Sequence, residues 1–163
     1  MKKVEISLSL IEADDLSELT PDEQELIKTS RKMTTQAYAP YSGFFVGAAV
    51  LLENGEIITG SNQENAAYPS GLCAERVAVF AASAKFPGIK IKAIAISGNS
   101  KSRDIDHPVT PCGACRQVML EYEVKQDEPF KVYLSGYSGK IYVIEKVQDL
   151  LPLSFTSKEL KNL

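Results

Sequence analysis

The chain reads as an α/β protein, a three-layer α-β-α sandwich built around a mixed sheet of about five strands. Three observations predict this. Short apolar runs of strand length recur at Phe44–Leu52, Glu56–Gly60, Lys92–Ser97, Lys131–Ser135 and Lys140–Glu145. Segments of helical periodicity separate them at Cys73–Phe86 and Gly113–Glu123. Finally, Asn54-Gly55 sits between the first two runs, and Asn-Gly flanked by apolar segments is the strongest short-range hairpin signal.

Taken in order, Val4, Ile6, Leu8 and Leu10 alternate with polar neighbours, which predicts a half-buried N-terminal strand. Thr20-Pro21-Asp22-Glu23 marks a helix start, with Thr as N-cap, Pro at the first helical position and Glu23 completing a capping box. Leu26, Ile27, Ser30, Met33, Thr34 and Ala37 form its inner face, and Tyr38-Ala39-Pro40-Tyr41-Ser42-Gly43 stops it. The helix beginning near Cys73 turns Ala74, Val77, Ala78, Ala81 and Ala82 inward; the one beginning near Gly113 turns in Val118 and Leu120. Lys92–Ser97 is the central strand, Gly136 and Gly139 occupy the turn between the last two strands, and Gln148–Pro152 is a short closing helix. The pattern predicts one domain over 1–163, with 1–20 as an N-terminal extension of no assigned role.

Composition narrows the classes. At 163 residues, 44% hydrophobic and 24% charged, the chain has ordinary globular composition and enough length for a core. A net charge of −3 argues against gripping a nucleic acid backbone, which requires clustered Lys and Arg. The N-terminus lacks the apolar stretch of a secretory signal, and no run is long enough to span a bilayer, so neither secretion nor a membrane partner is expected. Three cysteines cannot pair evenly, so a reduced, cytoplasmic protein with its thiols free or on metal is expected.

All three cysteines belong to one pattern: Cys73-Ala74-Glu75, then Pro111-Cys112-Gly113-Ala114-Cys115. Three thiolates leave one corner of a zinc tetrahedron for water, the mark of a catalytic rather than a structural site. Both segments fall at expected helix starts, where backbone N–H groups and the positive end of the dipole favour thiolates. Glu75 is placed to shuttle the water's protons. Arg76 is placed to offset the single net negative charge that three thiolates leave on a divalent ion. Asn62 and Glu64, two apart at a strand end, point to one face: taken alone Asn62-Gln63-Glu64-Asn65 reads as a polar turn, and beside the cysteine site it reads as amide and carboxylate groups offered to a neutral sugar.

The Cys-Ala-Glu plus Pro-Cys-x-x-Cys pair resembles the signature of the zinc nucleobase deaminases. The longer strings Tyr41–Ala49, Asn62–Pro69 and Pro111–Val118 are similar to the small homotetrameric cytidine deaminases, and the similarity runs from about Glu23 to the Leu150–Phe155 tail. The resemblance implies one Zn2+ per subunit held by Cys73, Cys112 and Cys115, with Glu75 as the proton shuttle. It implies ribose contacts from Asn62 and Glu64, a backbone N–H of Ala74 for the pyrimidine 2-oxo group, and the carbonyl of Thr110 facing the leaving amine. Phe44 would pack near the nucleoside, Phe155 would reach into a neighbouring subunit's site, and Arg76 would temper the thiolate charge. The implied reaction is hydrolytic deamination of cytidine and deoxycytidine to uridine and deoxyuridine in pyrimidine salvage. One carboxylate delivering two protons needs a raised pKa, which burial beside the thiolates supplies.

His107, the single histidine, lies in the polar loop Ser102–Pro108 and is read as a surface residue, because the three thiols suffice as ligands. That loop is longer than usual for the family. Phe45 and Ser70 depart from the residues common there, with consequences confined to pocket shape. Tyr68 is read equally as a substrate or subunit contact and as core. The competing activities are deamination of a related aminopyrimidine nucleoside such as blasticidin S, nucleic acid editing, a non-catalytic zinc-stabilised module, and a Cys-x-x-Cys redox pair.

Overall fold

The structure, a computed structural model, describes residues 1–160. Its strands are β1 (Ile11–Ala13), β2 (Phe44–Leu52), β3 (Ile57–Ser61), β4 (Ile91–Ser100), β5 (Lys131–Ser135) and β6 (Ile141–Ile144). Its helices are α1 (Pro21–Met33), α2 (Ala74–Lys85) and α3 (Gly113–Gln126). The six strands form one sheet in the order β1-β6-β5-β4-β2-β3. Only β4 and β5 run parallel. They are the pair joined through α3, because parallel neighbours need a crossover rather than a hairpin.

Most elements follow from local chemistry. The Glu23 carboxylate reaches back to the Thr20 N–H at 3.0 Å and to its hydroxyl at 2.9 Å, which opens α1. The Glu53–Gly55 turn joins β2 to β3, with Gly55 at φ 85 supplying a conformation that side chains avoid. Leu26 and Ile27 of α1 pack with Ala49, Ala95, Tyr133 and Val143 on one face of the sheet. On the other face Ala78, Val79 and Ala82 of α2, with Met119 and Leu120 of α3, cover Val50, Ile94, Ile96 and Val132. The small residues of α2 let it lie close: a Cβ added at Gly60 of β3 would stand 2.6 Å from the Ala78 nitrogen.

Three expectations change. The N-terminal strand does not form over Val4–Leu10, which is exposed and outside any strand; β1 falls just after it and raises the sheet to six strands. The reason is tertiary: Ile11 and Ala13 pair with Val143 and Ile141 of edge strand β6, and Lys140 binds Glu12 across the pair. Ala81 is exposed and Val118 half-buried, while Val79 and Met119 point inward instead. The closing helix is a single 3-10 turn at Val147–Leu150.

The long loop before α3 is fastened rather than free. Ile105, the lone apolar residue among Arg103-Asp104-Asp106, is buried, and its carbonyl accepts from the Tyr137 N–H at 2.8 Å. His107 beside it is 63% exposed. No helix among the described residues is long and apolar enough to cross a membrane.

Candidate active site

Cys73 and Cys112 are the N-caps of α2 and α3, both in extended backbone conformation. Each cap projects its side chain over a helix end whose first N–H groups have no intrahelical acceptor. Packing α2 against α3 brings the two ends together. The Cys73 and Cys112 sulfurs lie 4.0 Å apart, those of Cys112 and Cys115 lie 3.5 Å apart, and all three are within 4.8 Å of one another. A tetrahedron of Zn–S bonds of about 2.3 Å has edges of about 3.8 Å, so the trio fits zinc with one corner left for a non-protein ligand.

Electrostatics agree with that fit. The Cys73 thiol is lowered to about 5, its sulfur accepting from Cys115 and from Arg76, whose Nη2 stands 3.8 Å away. Cys115 is pushed upward by its hydrogen bond to Cys73 and by burial. The Arg76 guanidinium is held more firmly protonated by that hydrogen bond to Cys73 and by the thiolate's charge. Its Nε is buried with no hydrogen-bond partner among the described residues, leaving donor capacity beside the sulfurs.

Glu75 follows Cys73 by two positions in the first turn of α2 and is only 4% exposed. Burial holds its carboxyl above the ordinary range, and the Cys73 thiolate adds to the rise. A carboxyl held upward in this way gives up its proton less readily than an exposed one, the direction an acid–base group requires.

A cleft of about 520 Å3 runs from Cys73 and Arg76 past Asn62 and Glu64 to Tyr41 and Tyr68, within the size range of small-ligand pockets. Glu64 is already engaged: its carboxylate accepts from the Tyr41 and Ser42 N–H groups at 2.9 and 3.2 Å and from the Ser42 hydroxyl. These bonds, that to the hydroxyl foremost, hold it below the usual carboxylate range. Asn62 lies just past β3 and is pinned to β2, accepting from the Val46 N–H at 2.8 Å and donating to the Phe44 carbonyl at 3.0 Å. Each keeps only its remaining lone pair or proton for a ligand.

The other expected residues lie at different distances from this centre. Ala74 is fully buried at the start of α2, Phe44 is half-buried at the start of β2, and Thr110 is exposed in the turn before Cys112. Phe155 is 59% exposed, its carbonyl accepting from Gln117 Nε2 at 2.9 Å. Sequence reasoning missed the groups that shape the cleft wall. Gln63 pairs by both backbone groups with Leu72, while Asn62 and Glu64 pair with Tyr38. Backbone bonds of this kind leave no residue-type signal. It also missed Arg116, for which the charge beside a ligand motif was the available clue.

A soft-metal trio with a buried carboxyl beside it, set on helix ends of an α/β sheet, defines a metal-dependent hydrolytic enzyme. The comparisons agree. The profile of the cytidine and deoxycytidylate deaminase zinc-binding region matches residues 20–127, and the chain belongs to that family. It is 43% identical over 142 residues to the cytidine deaminase of Halalkalibacterium halodurans, covering 86% of this chain and 99% of that one. The crystal structure of cytidine deaminase from Burkholderia pseudomallei superposes with a TM-score of 0.71 at 40% identity, covering 84% of this chain and all of that one. The blasticidin-S deaminase of Bacillus cereus is more distant, 28% identical over 142 residues, with 85% of this chain and 95% of that one covered.

Proposed function

We propose that this chain is a cytidine deaminase, converting cytidine and deoxycytidine to uridine and deoxyuridine with release of ammonia. The observation that carries the reading is the buried Glu75 carboxyl beside the three sulfurs, a base and a metal site in one helix turn. Zinc held by Cys73, Cys112 and Cys115 would supply Lewis acidity and would lower the pKa of water toward neutrality.

The chain's own groups do the rest. Glu75 takes the proton of the attacking water and gives it to ring N3, which makes C4 electrophilic. It then takes the second water proton and hands it to the departing ammonia as C4–N4 breaks, leaving the uracil carbonyl. Arg76 holds the Cys73 sulfur and balances the thiolate charge. The Ala74 N–H holds the 2-oxo group, and the Thr110 carbonyl accepts from the leaving amine. Asn62 and Glu64 take the ribose hydroxyl with their free valences, and Phe44 packs against the nucleoside. The higher identity to a cytidine deaminase than to a blasticidin-S deaminase favours the simple nucleoside.

The acting unit is the single domain 1–163 in the cytoplasm, assembled as a homotetramer in which Phe155 completes a neighbouring subunit's site. The exposed Phe155 ring supports this reading. The test is ammonia release from cytidine, deoxycytidine and blasticidin S by zinc-loaded protein, with zinc measured in the same preparation. Turnover on both pyrimidine nucleosides is expected; turnover on blasticidin S alone sinks the reading. Truncation after Pro152 is expected to raise KM for cytidine about tenfold or more while zinc content stays near one per subunit. Equal loss of both would argue that the tail serves the fold only.

A further inference from the structure

Three side chains of α3 hold the chain that follows β6. Glu123, buried, accepts from the N–H groups of Val147 and Gln148 at 2.7 and 3.0 Å and so caps the 3-10 turn. Gln117 holds the Phe155 carbonyl further on. Between them Arg116 spans two segments that are distant in sequence. Its Nε donates to the Pro111 carbonyl at 2.9 Å and its Nη1 donates to the Leu150 carbonyl at 2.9 Å. Pro111 directly precedes the cap residue Cys112, and Leu150 ends the turn from which the chain runs to Phe155. A guanidinium carries its N–H groups in a rigid planar fork, so one side chain fixes two carbonyls relative to each other.

We propose that Arg116 is a positioning residue for the deamination, locking the Cys112 turn and the C-terminal segment into one unit. The position of the tail, and of the Phe155 ring it carries, is thereby referred to the turn that presents Cys112. Gln117 and Glu123 each hold the tail to the body of α3, but only Arg116 also holds the ligand turn. Its substrate readout rests on the function proposed above; its structural readouts do not.

The experiment uses the full-length, zinc-loaded protein and the variants Arg116→Met and Arg116→Lys. Three quantities are read: cytidine kinetics, amide hydrogen exchange over Leu151–Phe155, and the rate of zinc loss to a chelator. Arg116→Met is expected to raise KM about tenfold with kcat changed less than about threefold, to speed tail exchange and to hasten zinc loss. Arg116→Lys restores the charge without the fork and is expected to recover only part of each. Combined with truncation after Pro152, Arg116→Met should leave KM where truncation alone puts it, because in this proposal Arg116 reaches the substrate only through the Phe155 ring, which truncation has already removed. Unchanged KM and tail exchange in Arg116→Met, or multiplying effects in the combination, overturn the proposal. Should Arg116→Met not fold, Arg116→Lys carries the same readouts. If the unaltered protein releases no ammonia from cytidine, the functional reading fails, while exchange and zinc loss still decide the bridge.

Discussion

The two cysteine-capped helix ends share a backbone and little else. Cys73 has φ −72 and ψ 154, and Cys112 has φ −67 and ψ 164, so each presents its sulfur in the same way. Two residues beyond Cys73 stands Glu75, buried beneath the sheet's cover; two residues beyond Cys112 stands Ala114, exposed like Gly113 before it. Capping geometry therefore sets where metal ligands go, and burial sets what each end does with them. The α2 end is dehydrated enough to raise a carboxyl and hold an arginine against sulfur. The α3 end stays open, and its side chains secure loops.

The largest test of that contrast is the carboxyl itself. Glu75→Gln keeps the shape and loses the proton, and is expected to lower kcat about 10²–10⁴-fold with zinc retained. Adding Ala114→Glu to that variant supplies a carboxylate at the matching position of α3. No rescue is expected, because an exposed carboxylate keeps an ordinary pKa and stays ionised. Recovery of turnover would break the claim that burial, not position in the turn, selects the base. Next in size, Arg76→Gln removes the cation nearest Cys73 and is expected to cost about 10–100-fold in activity or zinc affinity. Activity and metal content equal to the parent would show that the thiolates need no such partner.

The contrast also marks what could be read in the sequence. Both helix starts, the hairpin at Asn54-Gly55 and the Thr20–Glu23 box were legible because each depends on residues adjacent in the chain. The ligand trio was legible because thiolates at two such starts have one economical meaning. What escaped depends on distant partners. The three-residue strand β1 exists through its pairing with β6, and the apolar alternation over Val4–Leu10 has no strand to join. Nothing in Asn62 or Glu64 announced that β2 and the Tyr41-Ser42 turn would claim most of their hydrogen bonds. Ile105 was the one apolar residue in a polar loop, and that isolation was its signal.

Two glycines separate the helix ends energetically. Gly60 lies under the first turns of α2, where an added Cβ would stand 2.7 Å from the Ala74 carbonyl oxygen and 2.6 Å from the Ala78 nitrogen. Both are backbone atoms, so relief requires moving the helix that carries Cys73 and Glu75. Gly60→Ala is expected to destabilise the fold by about 1–3 kcal/mol, read as a lower midpoint in denaturant, and to loosen zinc with it.

Gly113 opens α3, and an added Cβ there meets nothing within 4 Å. Its backbone is helical and not among the positive-φ positions, so alanine fits without strain. Restricting the unfolded chain then makes Gly113→Ala neutral or stabilising by about 0.4–1 kcal/mol. The measurement is the shift in denaturant midpoint of the zinc-loaded protein for both variants under one set of conditions. Opposite signs follow from a packed α2 end and an open α3 end. Matching losses would mean that the α3 end is covered in solution, as close subunit contact over Gly113 and Ala114 would require.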